Sequence, residues 1–212
     1  MGNTEVFRNL PEEKKDRIYH AAINEFAEEG YKAASMNSLV KEAGISKGSL
    51  FQYFMTKLDL FDSIVSHATA IAKSKLKKAR KDTNELDIQN RLKSVIRAGF
   101  DFIDSHPKLA KIYFRMLHTG NSPFGSQRLI KLQKQSIEFL ESILMDASDE
   151  LDKDLDIRKT AFLINGIMQQ LLHAYYTENI DSGLGLYHGE ESELDAWIDS
   201  SVNMIFRGIK KQ

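Results

Sequence analysis

Apolar residues recur at helical spacing along most of the chain, and no segment alternates strictly between apolar and polar positions. The pattern predicts a first helix from Pro11 to Gly30, because proline suits the first turn and two acidic residues follow it. The apolar stripe of this helix contains Ile18, Ala21, Ala22, Phe26 and Ala27. Residues 1–9 contain one basic side chain, Arg8, and are predicted to be a disordered or loosely docked arm.

Two short helices with a tight turn between them are predicted next. Ser35 is a good N-cap for a helix through Ala43, and Gly44 tolerates the left-handed conformation that ends it. Ser46 can cap a second helix that runs to Phe54. This is a helix-turn-helix pattern, and both helices can pack on the first helix to form a small core.

The two sides of the second short helix differ in character. A helical wheel puts Leu50, Phe54 and the stem of Lys47 on the core side. The opposite side carries a residue without a side chain, a hydroxyl, an amide and a phenol: Gly48, Ser49, Gln52 and Tyr53. Such groups suit close approach to phosphate oxygens and base edges in a groove.

The rest of the chain is also predicted to be helical. Thr56 and Asp59 have the spacing of a capping box and begin a long helix towards Arg80. Further helices are predicted at Asp87–Ser105, Pro107–Thr119, Ser126–Met145, Asp156–Glu178 and from Ser192 to between Arg207 and Lys210. We therefore predict an all-α fold, in which a three-helix head (residues 1–56) is joined by the long helix to a helical-bundle body (residues 57–212).

Composition limits the classes of protein that fit this pattern. The chain has 212 residues and no cysteine, which excludes disulfides and cysteine-ligated metals. Its start lacks the apolar core of a signal peptide, and no apolar run approaches the ~18 residues of a membrane span, so we expect a cytoplasmic protein. The formal net charge is −1, so the charge of the whole chain does not indicate a nucleic-acid partner.

Motifs for catalysis or for metal and cofactor binding are not found. None of the six histidines is part of an HExxH or ExxH pair, which are common helical metal motifs. Lys47-Gly48-Ser49 has the wrong order for a P-loop, and Gly183, Gly185 and Gly189 do not form GxGxxG. We predict neither an enzyme nor a bound metal or cofactor.

The segment AGISKGSLFQYFMTKLDLF resembles the helix-turn-helix signature of the tetracycline-repressor (TetR) family, which commonly has the form AGVSKGTLYxYFxxKxxL. The resemblance covers about residues 12–60 and rests on many positions in register, including Ala43, Gly44, Gly48, Tyr53 and Lys57. Ser49 and Phe51 replace the usual threonine and tyrosine, and the change at Phe51 removes a hydroxyl that could bind phosphate.

The resemblance implies a transcriptional regulator, expected to be a repressor, that binds a palindromic operator as a homodimer and is released by a small-molecule effector. The predicted DNA contacts are Ser35, Lys47 and Lys57 on phosphates, with Gly48, Ser49, Gln52 and Tyr53 in the major groove. Gln52 is the predicted base reader, since its amide can pair with adenine through two hydrogen bonds. Near Lys57, the amides at the start of the long helix can add to the phosphate contact.

The body is predicted to hold the effector pocket and the dimer interface. A face with a few polar groups on an apolar background resembles a ligand cavity. The predicted pocket residues are Phe100, Ile103, Tyr113, Met116, Leu117, Phe139, Ile143, Phe162, Asn165, Gln169, His173 and Tyr176. Two C-terminal helices are predicted to pair with their two-fold mates through Ile167, Leu171, Ala174, Trp197, Val202, Ile205 and Phe206. Because no cluster of Arg or Lys indicates an anionic site, we expect a phenyl or aliphatic effector.

An alternative from another class stays open, namely a helical small-molecule carrier or enzyme with an incidental helix-turn-helix. Salt dependence separates the two, because affinity for DNA falls with salt at a log-log slope of ~0.9 per neutralised phosphate. A carrier would have no DNA binding to titrate. His173 and Gln169 also have an alternative, in which they are satisfied internally or lie at the dimer seam.

Overall fold

The computed structural model describes residues 4–118 and 123–209, and all regular structure in these ranges is helical. This confirms the all-α prediction. The helices are α1 (Thr4–Arg8), α2 (Glu12–Ala33), α3 (Met36–Ala43), α4 (Lys47–Tyr53), α5 (Lys57–Asp82), α6 (Ile88–Ser105), α7 (Pro107–His118), α8 (Gly125–Asp146), α9 (Ile157–Tyr176), α10 (Glu178–Asp181) and α11 (Glu191–Ile209). A 3₁₀ turn, Ser148–Glu150, precedes α9. None of these described helices is long and apolar enough to cross a membrane.

The chain divides into two compact units, and the division differs from the predicted boundary after residue 56. The first unit contains the described residues up to Ile71 together with the segment 106–126. The second contains Ala72–Ser105 and the described residues from Gln127 onward. The first part of α5 and all of α7 therefore belong to the same unit as the helix-turn-helix.

The first unit is built around the predicted stripe of α2. Ile18, Ala21, Ala22, Phe26 and Ala27 are all buried, as expected from the helical period. Leu39, Leu50 and Phe54 of the helix-turn-helix are also buried in this core. Gly30 interrupts α2 with a φ of 75°, a conformation that favours glycine, and helical residues continue to Ala33.

The segment α1 corrects the prediction of a loosely docked N-terminal arm. Phe7 is buried, and its ring centroid lies 4.8 Å from that of Phe54 and 5.1 Å from that of Tyr19. The indication of this docking in the sequence is one aromatic residue in a polar segment. It is weak because the residues that contact Phe7 are distant in sequence. The aromatic contacts fix α1 on the core of the first unit.

Two cations of α7 bind the C-terminal half of α2. Nζ of Lys111 lies 2.9 Å from a carboxylate oxygen of Glu28, and this hydrogen bond lowers the pKa of Glu28. Nη1 of Arg115 donates to the backbone carbonyl oxygens of Ala27 at 2.8 Å and Glu28 at 3.1 Å. These carbonyls lie in the last regular turn before Gly30, so Arg115 satisfies acceptors at a helix end.

In the second unit, α6 packs against α9 and α11. Arg97 pairs with Asp195, and Nζ of Lys93 lies 2.7 Å from a carboxylate oxygen of Asp199. A Cβ added at Gly99 would lie 2.9 Å from a methyl group of Leu172, so glycine permits close packing of α6 on α9. Ion pairs on one side and close apolar packing on the other thus hold α6 in this unit.

A buried carboxylate organises the glycine-rich loop between α9 and α11. Asp181 accepts hydrogen bonds from the backbone N–H groups of Leu186 at 2.7 Å and Gly185 at 3.1 Å. The sequence predicted only a loop here, whereas the structure contains the short helix α10 and an ordered turn. Asp181 was missed because its partners are backbone groups, which leave little sequence signal.

Candidate nucleic-acid interface and body sites

The helix-turn-helix is formed by the predicted capping residues. Ser35 accepts a hydrogen bond from the N–H of Ser38, and Gly44 ends α3 in the left-handed region with a φ of 64°. Oγ of Ser46 accepts from the N–H of Ser49 at 3.0 Å, and the two hydroxyl oxygens are 2.8 Å apart. Local hydrogen bonds therefore determine where both helices begin and how α4 projects from the unit.

The exposed face of α4 differs in part from the predicted one. Gly48 and Gln52 are exposed, as expected, and Ser49 is half-buried beside its capping partner. Phe51 is also exposed, at 38%, and so is Met55 just beyond the helix, at 59%. The outward face of α4 therefore consists of positions 48, 51 and 52, and Met55 adds an exposed apolar side chain just after the helix.

Tyr53 does not face outward, which corrects its predicted position. Its side chain is only 5% exposed, and its ring centroid lies 6.1 Å from that of Phe7. The ammonium of Lys14 lies over the other part of the ring, 5.5 Å from its centroid. The helical wheel gave the wrong exposure for Tyr53 because it describes α4 alone. In the structure, α1 covers this side of α4.

The two predicted phosphate-binding lysines occupy different environments. Lys47 is exposed, so the prediction that its stem packs on the core is wrong. Nζ of Lys57 donates to the carbonyl oxygens of Lys32 at 3.1 Å and Ala34 at 2.9 Å. It also lies 5.1 Å from the centroid of the Tyr31 ring, a cation–π distance. Two of the three donors of Lys57 therefore bind the chain itself.

The capping box at the start of α5 is present as predicted. The N–H of Thr56 donates to Asp59 and the N–H of Asp59 donates to the Thr56 hydroxyl, both at 3.0 Å. These reciprocal bonds set the start of the helix immediately after Met55. They hold the exposed segment that follows α4 in one conformation.

In the second unit, three amide side chains form a cluster between α8 and α9. Nδ2 of Asn165 donates to Oε1 of Gln133 at 3.0 Å, and Nε2 of Gln169 donates to the same oxygen at 3.2 Å. Asn165 is buried, and the other two side chains are half-buried. Gln133 was not predicted, because one glutamine among several on α8 has no distinguishing pattern.

The other predicted pocket residues fall into three environments. Phe162 is 61% exposed, so its predicted place inside the body is wrong, although Asn165, three residues further along α9, is buried. Tyr113, Met116 and Leu117 belong to α7 and hence to the first unit, whereas the prediction grouped them with the body. Burial raises the pKa of the Tyr113 hydroxyl. The remaining residues lie in the second unit and are buried or half-buried: Phe100, Ile103, Phe139, Ile143, His173 and Tyr176.

A second polar contact in this unit joins α6 to α9. The Tyr175 hydroxyl donates to a carboxylate oxygen of Asp104 at 2.6 Å, and the Phe100 ring packs edge-on against Tyr175 at 5.0 Å. Burial, together with the nearby Asp104 carboxylate, raises the pKa of Tyr175 well above its usual range. The phenol is therefore protonated at neutral pH and acts as a fixed donor.

The residues predicted for the dimer interface are mostly turned inward. Leu171, Ala174, Val202 and Ile205 are buried within the single chain, and Ile167, Trp197 and Phe206 are half-buried. Three other large apolar side chains on the same two helices are exposed, namely Phe162, Leu163 and Met204. Gly166 lies about one turn after Phe162 and Leu163 on α9, and a Cβ added there would meet nothing within 4 Å.

Among the described residues, no three His, Asp or Glu side chains gather as metal ligands. The first unit has an exposed surface at α4. It presents a short, capped helix with a glycine, an amide and two apolar side chains on its exposed side.

Comparison with known proteins places this arrangement in a family. A model for bacterial regulatory proteins of the tetR family matches residues 18–64, which include α3 and α4. The HTH-type transcriptional activator FasR of Mycolicibacterium smegmatis is 30% identical over 113 residues. These residues are 53% of this chain and 51% of FasR, so the match spans about half the length of that relative.

Solved structures share the fold over nearly the whole chain. A TetR family transcriptional regulator from Chloroflexus aurantiacus superposes with a TM-score of 0.71 at 24% identity, and all of both chains is covered. FadR from Bacillus subtilis, in complex with stearoyl-CoA, superposes with a TM-score of 0.71 at 21% identity, over 91% of this chain and 98% of FadR. The signature, the helix-turn-helix geometry and these comparisons show that residues 18–64 form a helix-turn-helix of the tetR family of bacterial regulatory proteins.

Proposed function

We propose that the protein is a transcriptional regulator that binds a palindromic DNA operator as a homodimer, with α4 in the major groove. The observation that carries this proposal is the exposed face of α4, where Gly48, Phe51 and Gln52 are free of covering elements. From Lys47 to Lys57 the chain contains no Asp or Glu, so no carboxylate there would repel phosphates. A short helix of this size fits the major groove of B-DNA.

The side chains of the helix-turn-helix have distinct roles in this proposal. Gln52 reads a base edge, and Lys47 binds a phosphate together with the Ser35 hydroxyl. Gly48 and the half-buried Ser49 permit close approach of the backbone. Lys57 and Tyr53 are supported in another role: their contacts with α2 and α1 hold α4 in position, and the third donor of Lys57 is left for a phosphate.

Selection from random-sequence DNA by the full-length protein tests this function. We expect a palindromic consensus, and an affinity whose logarithm falls linearly with log salt at ~0.9 per phosphate contact. Binding that selects no sequence and does not respond to salt would favour the alternative, a carrier or enzyme with an incidental helix-turn-helix.

The homodimer uses the exposed apolar side chains of α9 and α11. Phe162, Leu163 and Met204 would be costly to leave in water, and Gly166 permits close helix approach. Trp197 and Phe206 of α11 are half-buried and add to the apolar surface of the proposed interface. Two heads that read half-sites one helical turn apart, about 34–36 Å, require such a dimer.

The effector is a small, largely apolar molecule bound in the second unit near the amide cluster. Gln133, Asn165 and Gln169 supply a few orienting hydrogen bonds within apolar surroundings, which is typical of ligand sites. FadR from Bacillus subtilis was solved with stearoyl-CoA, which carries a long aliphatic chain. Long-chain aliphatic compounds and their thioesters are therefore the first class to test, with phenyl compounds second.

Thermal shift of wild type and of a Gln169→Ala, His173→Ala double variant tests the site. We expect the aliphatic hits to stabilise the wild type by several degrees and the variant by less. Equal stabilisation of both proteins by every hit would contradict this location. An effector can act only through its differential affinity for the DNA-binding and non-binding states.

The regulator represses, and the effector releases it from the operator. FasR is named as an activator, so the sign of regulation by this protein needs a direct test. Transcription in vitro from a promoter that contains the selected operator decides the sign. We expect the protein to lower transcript yield, and the effector to restore it; a rise in transcript on adding the protein would make it an activator.

A further inference from the structure

The exposed side of the recognition helix carries two large apolar side chains that intramolecular packing does not explain. Phe51 is 38% exposed and Met55 is 59% exposed. By contrast, Leu39, Leu50 and Phe54 of the same helix-turn-helix are completely or almost completely buried. Exposed apolar area costs free energy in water, so this surface is suited to a partner with apolar groups of its own.

Phe51 shares a face of α4 with the proposed base reader, Gln52, and Met55 follows at the end of the helix. Positions 48, 51 and 52 are spaced i, i+3 and i+4, so they lie on one face of α4, whereas Met55 follows the extended Phe54 at the C-terminal end of the helix. Gly48 has no side chain on this face, and a Cβ added there would lie 3.9 Å from its nearest neighbour, the Ser46 hydroxyl oxygen. The backbone is therefore open to close approach at this position. Gln52 thus has one exposed apolar side chain beside it in α4, a second three residues later in the chain, and a glycine one turn before it.

The floor of the major groove offers one apolar group, the 5-methyl of thymine. An A·T pair also presents the N6 and N7 atoms of adenine, which are the partners of a glutamine amide. One amide flanked by two apolar side chains is therefore complementary to a run of A·T pairs. The lysines at both ends of the acid-free segment, Lys47 and Lys57, suit the phosphates on either side.

We propose that Phe51 and Met55 read thymine methyl groups next to the adenine that Gln52 reads. The inference rests on the proposed function. It assigns a role in base-sequence specificity to two exposed residues that have no structural role in the core. Phenylalanine at position 51 has no hydroxyl for a phosphate oxygen, and a rigid ring suits contact with a methyl group. Met55 is flexible and polarisable, so it can follow the groove where the next base pair lies.

Uracil substitution in the selected operator tests this inference with the full-length protein. Replacing one thymine of a half-site by uracil removes only the methyl group and keeps the base pair. We expect one or two thymines at which this change weakens wild-type binding about fourfold, the equivalent of one buried CH₂ group. Phe51→Ala should abolish the sensitivity at one thymine, and Met55→Ala should abolish it at the other.

Lys47→Ala is the matched control, because it should weaken binding to all duplexes and keep the uracil sensitivity. Thermal melts should be close to wild type for Phe51→Ala and Met55→Ala, since both side chains are exposed. Sequence-specific binding that is indifferent to uracil at every position would overturn the inference and leave the proposed function intact. Uracil sensitivity that persists unchanged in both alanine variants would also overturn it. If the protein selects no DNA sequence at all, the result contradicts the proposed function and, with it, this inference.

Discussion

In the first unit, the position of a side chain on a helical wheel does not by itself define its role. Tyr53 and Gln52 are neighbours in sequence, but Tyr53 is covered by Phe7 and Gln52 is exposed. Lys47 and Lys57 are both lysines of the signature region, but only Lys57 binds backbone carbonyls of the chain. The role of each residue therefore depends on whether an element from elsewhere covers it.

The role of Gln52 gives a prediction about sequence preference. Gln52→Ala should remove discrimination at one base position of each half-site, worth about 1–3 kcal/mol. Competition binding with single-base variants of the operator measures this loss. Lys47→Ala is the control, since it should weaken binding equally on all variants and reduce the salt slope by ~0.9. An unchanged preference in Gln52→Ala would show that another residue reads the base.

His67 gives a prediction about pH. It is half-buried against the Tyr19 ring, and burial lowers its pKa, with a further lowering from His106 and an opposing effect of Asp16. A folded pKa below the unfolded value of about 6.5 means that protons bind the unfolded chain more strongly. His67 should therefore destabilise the protein as the pH falls below about 6.5.

Urea unfolding of wild type and His67→Gln between pH 7.5 and 5 measures this effect. The wild type should lose more of its free energy of unfolding on acidification than the variant, by about 1.4 kcal/mol per unit of pKa difference. The same loss in both proteins would mean that other groups dominate this range.

Whole helices depend on both local signals and distant contacts. The caps at Ser35 and Ser46 and the box at Thr56 follow from short-range hydrogen bonds, so the sequence predicts their positions. The docking of α1 and the packing of α7 on α2 depend on pairs more than ten residues apart. No periodic pattern encodes such pairs, and for this reason α7 was grouped with the body.

The contact between α7 and α2 gives a prediction about stability. Arg115→Met keeps much of the aliphatic stem but removes the donors to the carbonyl oxygens of Ala27 and Glu28. Because the site is half-buried, we expect a loss of about 1–2 kcal/mol in the free energy of unfolding. Chemical denaturation at fixed protein concentration measures it. Lys131→Met, which changes an exposed cation of α8, is the control and should change stability by less than about 0.5 kcal/mol.

For the whole molecule, the exposed apolar side chains of α9 and α11 are the main evidence for assembly. The sequence predicted an interface on these two helices, but it selected inward residues such as Val202, because a helical period alone does not say which stripe faces the chain's own core. The proposed effector site has the same difficulty. Asn165 and Gln169 were predicted from α9 alone, whereas Gln133 comes from another helix.

Assembly gives a prediction about oligomeric state. Leu163→Glu should place a charge in the dimer interface and convert the protein to a monomer at micromolar concentration. Sedimentation velocity measures the change, and operator affinity should fall at least tenfold with it. Met145→Glu alters an equally exposed apolar residue of α8 and should remain a dimer. A wild-type protein that is monomeric at this concentration would contradict the assembly itself.

The membership of α7 in the first unit has a consequence for modular engineering of regulators. A chimaera that joins the first 56 residues of this chain to a foreign body would separate α2 from Lys108, Lys111 and Arg115. The transplanted head would retain its capped recognition helix but leave the end of α2 without these donors. Functional grafts should therefore carry α7, or matching basic residues in the recipient, as part of the interchangeable piece.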